Sequence, residues 1–303
     1  MPDRAPIKPT GLQPGGTIGV VAPAGRVDSN LLQKGISRLE QLGFHVIPGK
    51  NVGRQQRYLA GTDRERAEDF QNLILNKEVD AVFCARGGVG TARIIPHLNR
   101  DLLTAFPKIV VGSSDITTLL LYLTASLAWV SFHGPMAATH FGRECPPALE
   151  NRLFALLSGK TEEMKFPGVQ TLRPGKVDGI LTGGCLTLLC TTIGTPFEIK
   201  TDNRLLFIED INEAPYRIDR MLSYLKLLGK FNHVRGIIFG EMPGCRPEDL
   251  PEVILDILGE FRGPILFGFP SGHGKGTATL PLGVSMHLDA DAGVLRMLEP
   301  AVL

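Results

Sequence analysis

The 303-residue sequence predicts an α/β protein whose main element is a parallel sheet with helices on both faces. Three observations lead to this fold class. Short apolar runs rich in Val and Ile alternate with segments of helical period through much of the chain. The hydrophobic content of 43% and the charged content of 21% are ordinary for a soluble globular protein. The length allows two domains or one large domain with an ample core.

The first half of the chain alternates between predicted strands and helices. Residues 17–22 and 44–47 are predicted strands on either side of a helix over 29–42, so a βαβ unit opens the chain. Gly43 directly follows that helix, as a C′ glycine does. The next elements are predicted in the order helix 63–76, strand 81–85, helix 91–98, strand 109–111 and a helix from Asp115 onward.

The composition changes after His133-Gly134-Pro135, and the second half of the chain is predicted to form a smaller domain. Residues 144–173 are mixed in composition and interrupted by prolines, with one short predicted helix over 149–157, and we interpret them as a linker. This predicts a first domain over 1–170, which includes the linker from about residue 144, and a second domain over 171–303. Its elements are predicted in the order strand 204–208, helix 216–228, strand 234–239, helix 250–261 and strand 264–267.

The composition argues against several classes of partner. A formal net charge of +1 gives no electrostatic case for binding nucleic acid or an anionic membrane. The polar, proline-rich start is expected to be neither a signal nor a transit peptide, and the apolar segment 117–132 is too short to span a bilayer. Five cysteines without a CxxC pair predict free thiols in a reducing compartment, and hence a cytoplasmic protein without a disulfide framework or a zinc site.

A sharp turn between the predicted strand 109–111 and the following helix is the candidate catalytic element. The strand breaks at Gly112, and the turn consists of Ser113, Ser114 and Asp115. A side chain in such a turn projects from the carboxyl edge of the sheet, beside the free N–H groups of the helix. This is the logic of a nucleophile elbow, in which a hydroxyl is exposed next to donors that can hold an oxyanion.

Ser114 is the better nucleophile candidate of the two serines, because Gly112 two places earlier permits the close approach that an elbow needs. The match is partial, since Ile116 stands where a second glycine is usual. The alternative is that Ser113 or Ser114 caps the helix, with Asp115 in its first turn.

A glycine-rich loop with Gly87, Gly88 and Gly90 follows the strand that contains Cys84. The loop lacks the spacing of a phosphate-binding motif, but it lies at the edge where a binding crevice forms. The N–H of Gly88 could meet the N–H of Asp115 there and complete an oxyanion hole. Cys84 is a rival nucleophile, and its alternative interpretation is a buried small apolar residue.

The second half of the chain offers a base and an acid for a serine nucleophile. His273 lies in a glycine-rich loop after a predicted strand, which can bring an imidazole to a crevice, and His133 is its main competitor. Glu209 ends an apolar strand, where a carboxylate is costly without a partner. The alternative carboxylates are Asp210 and Glu213.

These segments resemble the serine L,D-carboxypeptidases of the LdcA type, in peptidase family S66, which also holds the microcin-immunity peptidases. The matching motifs run nearly end to end in the order VVAPA (20–24), YLAGTD (58–63), CARGGVG (84–90), GSSDIT (112–117), LFIED (206–210) with YRIDR (216–220), and GFPSGH (268–273) with TLPLG (279–283). Several spaced motifs in the right order are more specific than any one of them. Val89 is a departure, since the family loop has a tyrosine there.

The resemblance implies a serine carboxypeptidase with Ser114 as nucleophile, Glu209 as orienting acid and His273 as general base, and with the Gly88 and Asp115 amides as oxyanion hole. It implies a flavodoxin-like amino-terminal domain, a smaller mixed α/β carboxyl-terminal domain, a homodimer, and no cofactor or metal. The implied reaction removes the terminal D-alanine from an L-centre diamino acid in murein tetrapeptides, during cell-wall recycling.

Three questions stay open after the resemblance. Carboxypeptidase specificity needs a cation for the terminal carboxylate, and Arg86 beside the glycine pair is our candidate. One alternative function within the family is a microcin-type peptidase that cleaves an aminoacyl-adenylate analogue. Another, from a different class, is an amidotransferase-like domain that depends on Cys84.

Overall fold

The computed structural model describes residues 5–143, 145–274 and 277–303, which form two sheets with helices packed against them. The strands are β1 (Thr17–Val21), β2 (His45–Pro48), β3 (Ala81–Cys84), β4 (Ile109–Gly112), β5 (Ser131–His133), β6 (Glu163–Lys165), β7 (Gln170–Arg173), β8 (Lys176–Cys185), β9 (Arg204–Glu209), β10 (Gly236–Phe239), β11 (Ile265–Phe267), β12 (Leu280–Leu282), β13 (Ser285–Asp289) and β14 (Val294–Met297). The α-helices are α1 (Ser29–Gln41), α2 (Asp63–Leu75), α3 (Thr91–Ile94), α4 (Arg100–Ala105), α5 (Thr117–Leu121), α6 (Pro147–Leu157), α7 (Leu186–Thr191), α8 (Pro215–Leu227) and α9 (Leu250–Ile257).

The first sheet has the strand order β2-β1-β3-β4-β5, all parallel, and β12 is added antiparallel to β5. This order of the parallel strands is that of flavodoxin-like folds, so the predicted fold class is confirmed. Every residue of β3 and β4 is buried. Both strands are therefore nearly continuous apolar runs, because helices cover both faces of the sheet.

The second sheet is mixed, as predicted. Strands β8, β9, β10 and β11 run parallel at its centre. Antiparallel strands flank them, with β13, β14 and β6 on one side and β7 on the other. Helices α8 and α9 pack over β9 and β10 through a core that includes Ile218, Leu222 and Ile254. The carboxyl ends of the central strands thus form one edge of this sheet.

Each sheet includes one strand from the other side of the predicted division near residue 170. Strand β6 precedes residue 170 but pairs in the second sheet, and β12 follows residue 170 but pairs in the first. The division near residue 170 remains a prediction. The exchange matters for function, because the loop before β12 carries His273 toward the first sheet.

Some local elements differ from the prediction. The helix predicted over 91–98 is α3 followed by a 3₁₀ turn over Ile95–His97, since Pro96 has no N–H for a continued α-helix. Helix α4 was not predicted, and the Asn99 side chain caps its first turn. Of the helices in the described ranges, none has the length and apolar character needed to cross a membrane.

Candidate active site

The candidate site lies where the carboxyl edges of the two sheets meet. In the strand registers, Cys185 of β8 lies beside Glu209 of β9. The N–H of Cys185 donates to the Thr117 hydroxyl at 3.2 Å. A Cβ on Gly184 would come within 2.5 Å of Cγ2 of Thr117, so the Gly184 backbone packs directly against the Thr117 side chain. The end of β8 next to Glu209 therefore packs on the first turn of α5, three residues after Ser114.

Ser114 has the backbone of a strained nucleophile turn. Its φ is +62°, a left-handed conformation that costs a non-glycine residue free energy. Within the fully described segment 109–123, Ser114 is the one residue that is not buried. A Cβ on Gly112 would lie 2.6 Å from Cγ2 of Ile116, so a glycine at 112 is needed for this turn. The chain thus forces a serine into a strained conformation and leaves it half-buried among fully buried neighbours.

The capping interpretation of the serines is not supported by the contacts. Ser113 precedes a 3₁₀ turn over Ser114–Ile116, and its side chain makes no capping hydrogen bond within the described part of the chain. The buried Asp115 carboxylate instead accepts hydrogen bonds from the Thr91 N–H at 2.8 Å and the Thr91 hydroxyl at 2.5 Å. The side chain of Asp115 therefore joins the serine turn to the start of α3.

Glu209 and His273 are in direct contact. The Glu209 carboxylate is fully buried, and its Oε2 lies 2.5 Å from Nδ1 of His273. A Cβ on Gly272, whose φ is +131°, would come 2.9 Å from the same oxygen, so glycine lets the loop approach the carboxylate. Because Nδ1 is engaged by Glu209, Nε2 is the nitrogen free to accept a proton from a nucleophile.

The charge state of this pair follows from burial and contact. Burial lowers the pKa of His273, but the hydrogen bond and negative charge of Glu209 outweigh it, so the pKa of His273 lies above its ordinary value. Burial raises the pKa of the Glu209 carboxyl, and the hydrogen bond and charge of His273 oppose that rise. The carboxylate thus stabilises the imidazolium form, as an orienting acid does.

The competing residues have other contacts. Asp210 accepts hydrogen bonds from the N–H and hydroxyl of Thr187, both at 2.9 Å, at the start of α7. Glu213 pairs with Arg217, whose side chain is 54% exposed.

His133 is fully buried, and neither ring nitrogen has a hydrogen-bond partner among the residues that the structure describes. Burial, with smaller effects of His273 and His140, lowers the pKa of His133 to about 3, which makes it unsuitable as a base.

Cys84 is fully buried in β3, and burial raises the pKa of its thiol well above the ordinary value. A reactive cysteine needs an accessible thiolate, and this environment opposes one. The buried apolar interpretation of Cys84 therefore agrees with the structure, whereas the Cys84-dependent alternative does not.

The loop that contains Gly88 faces the serine turn. A Cβ on Gly87 would lie 2.9 Å from the Ser114 Oγ and 3.2 Å from the Asp115 nitrogen, so the loop touches Ser114 through a glycine. Gly88 and Val89 are exposed. Nη1 of Arg86 donates to the Arg26 carbonyl at 2.9 Å, which ties the same loop to the one after β1.

Two titratable residues of the site were missed by sequence reasoning. His140 was not among the candidates, but its Nδ1 accepts from the Met136 N–H at 3.0 Å and its Nε2 lies 3.2 Å from the Thr277 hydroxyl. That hydroxyl in turn donates to the Gly272 carbonyl at 2.7 Å, next to His273. Burial lowers the pKa of His140 to about 4, so the ring is neutral. No sequence signal identified this contact.

The second missed residue is Glu241. Its carboxylate accepts the N–H of Gly274, and burial, followed by the charge of Glu209, raises its pKa. Its Oε2 has no partner in the described ranges. A signal did exist, because Glu241 follows β10, the parallel neighbour of the strand that ends in Glu209. As for metals, no cluster of three or more potential ligands occurs among the described residues.

Comparisons with known proteins show the family to which the chain belongs. Residues 18–134 match the model of the LD-carboxypeptidase N-terminal domain, and residues 178–288 match that of the LD-carboxypeptidase C-terminal domain. A probable murein peptide carboxypeptidase of Bacillus subtilis is 40% identical over 91% of this chain and 89% of its own length.

Two further relatives cover nearly the whole chain. The microcin C7 self-immunity protein MccF of Escherichia coli is 31% identical over 94% of both chains. An apo structure of MccF superposes with a TM-score of 0.92 at 27% identity, covering 98% of this chain and 100% of that one. The crystal structure of a muramoyltetrapeptide carboxypeptidase from Oxalobacter formigenes superposes with a TM-score of 0.84 at 30% identity, covering 93% and 97%.

Proposed function

Because this chain belongs to the LD-carboxypeptidase family, we propose that it is a serine L,D-carboxypeptidase that acts on murein tetrapeptides. It hydrolyses the bond between the L-centre of the third-position diamino acid and the terminal D-alanine. Ser114 is the nucleophile, His273 the general base and Glu209 the orienting acid. The names of two relatives, a murein peptide carboxypeptidase and a muramoyltetrapeptide carboxypeptidase, support this substrate class.

One observation carries the proposal. A buried carboxylate lies 2.5 Å from a histidine nitrogen, at the sheet edge that packs against a strained and accessible serine turn. A carboxylate–histidine pair beside an accessible serine is the arrangement that activates a hydroxyl for acyl transfer.

The proposed mechanism uses these groups in sequence. The Ser114 hydroxyl attacks the peptide carbonyl, and Nε2 of His273 takes its proton while Nδ1–H stays hydrogen-bonded to Glu209. The backbone N–H groups of Gly88 and Asp115 hold the oxyanion of the tetrahedral intermediate. His273 then gives the proton to the leaving amine, D-alanine departs, and water hydrolyses the acyl-serine by the reverse sequence.

Arg86 is our candidate for the terminal carboxylate of the substrate. It lies next to the glycine pair, and its Nη1 already donates to the Arg26 carbonyl. The guanidinium therefore has a defined position at the start of the glycine-rich loop. Arg86→Ala is expected to raise KM more than it lowers kcat, because the carboxylate is held in both ground and transition states. An equal loss in kcat and kcat/KM, with KM unchanged, would argue against this role.

The test of the function is mass spectrometry of purified murein tetrapeptides incubated with the enzyme. We expect the loss of one D-alanine, with no cleavage of tripeptides that lack it. Tetrapeptides with lysine and with diaminopimelate in the third position should be compared, because the choice between them is not set by the residues above. An intact tetrapeptide after incubation with a well-folded enzyme would contradict the proposal.

The likeness to MccF makes a microcin-type activity the second candidate. Solved structures of MccF include a complex with aspartyl sulfamoyl adenosine. That compound should be offered to this enzyme beside the tetrapeptide, and the ratio of the two kcat/KM values decides between the functions. The chain has a single tryptophan and four tyrosines to stack on an adenine, which favours the peptide substrate.

We further propose that the enzyme is a cytoplasmic homodimer. All five cysteines are free thiols, which suits a reducing compartment. Val89, at the position of the family tyrosine, is 48% exposed and is available either to substrate or to a second copy. Light scattering on the wild type and on Val89→Tyr would measure the oligomeric state and show whether this position belongs to a subunit contact.

A further inference from the structure

We propose that Arg66 and Asp115 act as a clamp on one peptide unit, the one between Gly90 and Thr91, and thereby hold the oxyanion-hole loop in place. This inference rests on the proposed function, because it concerns the same oxyanion hole. Neither side chain is assigned to contact the substrate. Both are positioning residues that act through the backbone.

The clamp contacts the peptide unit at both of its polar ends. Nη1 of Arg66 donates to the Gly90 carbonyl at 2.9 Å. The N–H of the same unit, that of Thr91, donates to the Asp115 carboxylate at 2.8 Å. A cation thus binds the oxygen and an anion binds the N–H, so rotating this peptide would break two charge-assisted hydrogen bonds at once.

The cation of the clamp is held rigidly. The Arg66 side chain has no exposed surface, and it also donates to the Pro23 carbonyl and pairs with Asp63. A Cβ on Gly90 would lie 3.0 Å from Nη1 of Arg66, so glycine at this position gives the guanidinium room to reach the carbonyl. A buried arginine is expensive to maintain unless its donors are used. Here Nη1 binds the loops after β1 and β3 and Nη2 pairs with Asp63, while Nε has no hydrogen-bond partner among the described residues.

The anion of the clamp belongs to the residue whose amide is a proposed oxyanion donor. The Thr91 hydroxyl adds a second bond to Asp115 at 2.5 Å. At its other end the glycine-rich loop is fixed by a hydrogen bond from the Gly25 N–H to the Gly87 carbonyl, at 3.1 Å. Gly88 is therefore an exposed residue between two fixed points, and its distance from Ser114 depends on both.

Thr91→Val is the sharpest test. It removes the hydroxyl hydrogen bond that helps to hold the Asp115 carboxylate against the Thr91 N–H, and it keeps the shape, the volume and the backbone N–H. Thr118→Val is the matched control, since Thr118 is equally buried in α5 and its hydroxyl has no partner in the described residues. We expect Thr91→Val to lower kcat about 10- to 100-fold with KM within about twofold of wild type, because misplaced donors weaken only the transition state. Thr118→Val should keep wild-type kcat.

A second readout separates this proposal from the choice of substrate. A fluorophosphonate probe phosphonylates an activated serine, and its phosphoryl oxygen occupies the same hole. The labelling rate of Ser114 should fall by about the same factor as kcat in Thr91→Val, and Thr91→Ser should restore it. If the wild type leaves tetrapeptide intact but is labelled at Ser114, and Thr91→Val slows labelling, the substrate assignment fails and the clamp stands.

Arg66→Lys completes the test, because lysine keeps the charge but not the forked geometry. Its effect on the labelling rate should be less than multiplicative with that of Thr91→Val, since both act on one peptide unit. The clamp is overturned if Thr91→Val labels as fast as Thr118→Val. It is also overturned if the loss of activity in Thr91→Val and Arg66→Lys is fully accounted for by a lower melting temperature, because that would indicate a structural role alone.

Discussion

Ser114 lies in the turn that directly follows its own strand, whereas the imidazole of His273 is held by a carboxylate 64 residues away in the sequence. The position of the serine is set by residues close to it in the sequence, namely its own left-handed backbone and Gly112, which admits the close contact with Ile116. The histidine depends on tertiary contacts, because its loop lies between the second sheet and a strand added to the first. The proposed nucleophile and the proposed base are therefore stabilised by different interactions, and substitutions near them should affect activity in different ways.

The largest effect is expected at the locally built residue. Ser114→Ala should lower kcat by about 10⁴- to 10⁶-fold, since a triad without its nucleophile retains only binding and the oxyanion hole. The fold should tolerate the change, because the side chain is small and partly exposed. Mass spectrometry of the tetrapeptide product and thermal unfolding measure the two quantities.

Ser114→Gly sharpens the same comparison by removing the Cβ as well. It should be as inactive as Ser114→Ala but more stable by about 0.5–1 kcal/mol, because glycine adopts a positive φ without steric cost. Chemical denaturation of both variants provides the free energies of unfolding. Equal stabilities would show that the turn at Ser114 is not strained.

The next largest effect is expected at the long-range pair. Glu209→Gln should lower kcat/KM by about 10²- to 10⁴-fold, since His273 loses its orienting acceptor. The base must be neutral to act, so activity falls as pH drops through the pKa of His273. Glu209 raises that pKa, and its removal should therefore move the acidic limb of the kcat/KM profile to lower pH.

A matched control for this change exists near the start of β8, at the opposite end of that strand from Glu209. Asp178 lies 2.6 Å from Nδ1 of His287, a carboxylate–histidine pair outside the site. Asp178→Asn should leave both the height and the pH dependence of kcat/KM unchanged. An unshifted acidic limb in Glu209→Gln would mean that Glu209 does not set the pKa of the catalytic base.

A smaller loss is expected from crowding the serine turn. In Gly87→Ala the added Cβ would lie 2.7 Å from the Ser114 Cβ, closer than real Cβ contacts allow, so the turn or the loop must shift. A displacement of about 1 Å at a nucleophile can cost about 10²-fold in rate, and we expect a loss of this order in kcat.

Gly53→Ala is the control for this crowding, because Gly53 has open space around its Cβ position. It should leave kcat unchanged. Wild-type kcat in Gly87→Ala would show that the contact between the loop and the serine turn has no catalytic role.

The smallest effect on activity is expected at the rival nucleophile. Cys84→Ala should keep wild-type kcat and reduce the free energy of unfolding by about 1 kcal/mol, through the small cavity left in a fully buried site. Turnover of the tetrapeptide and chemical denaturation measure both. A loss of turnover larger than the loss of folded protein would return Cys84 to consideration as a nucleophile.

Sequence reasoning identified the locally built part of the site more completely than the long-range part. The strand, Gly112 and the serine turn are adjacent in the chain, so their pattern could be interpreted directly. The α/β class was also predictable, because apolar periodicity reports which faces of an element are buried, whereas the mixed second domain was implied by the resemblance. His273 and Glu209 were candidates by residue type, and their roles were implied by the resemblance rather than by spacing.

The contacts of Arg66, His140 and Glu241 were not predicted. Arg66 follows Asp63 on a helix whose charges are typical of a solvated face, yet its side chain is buried beneath the loops after β1 and β3. His140 lies in a π-helical turn that has no sequence signature and reaches Thr277, 137 residues later. A residue's local pattern gives no information on which distant loop covers it.

The sequence by itself determined the α/β class with its alternation of strands and helices, the serine turn and the inventory of groups able to do acid–base chemistry. Only the tertiary structure decided which carboxylate meets which imidazole, which histidine is buried and neutral, and which side chains fix the glycine-rich loop. The physical reason is range. Helices, strands and turns depend on interactions over a few residues. The geometry of the site depends on the registers of two sheets, and on the pairing of β12 in the first sheet and β6 in the second.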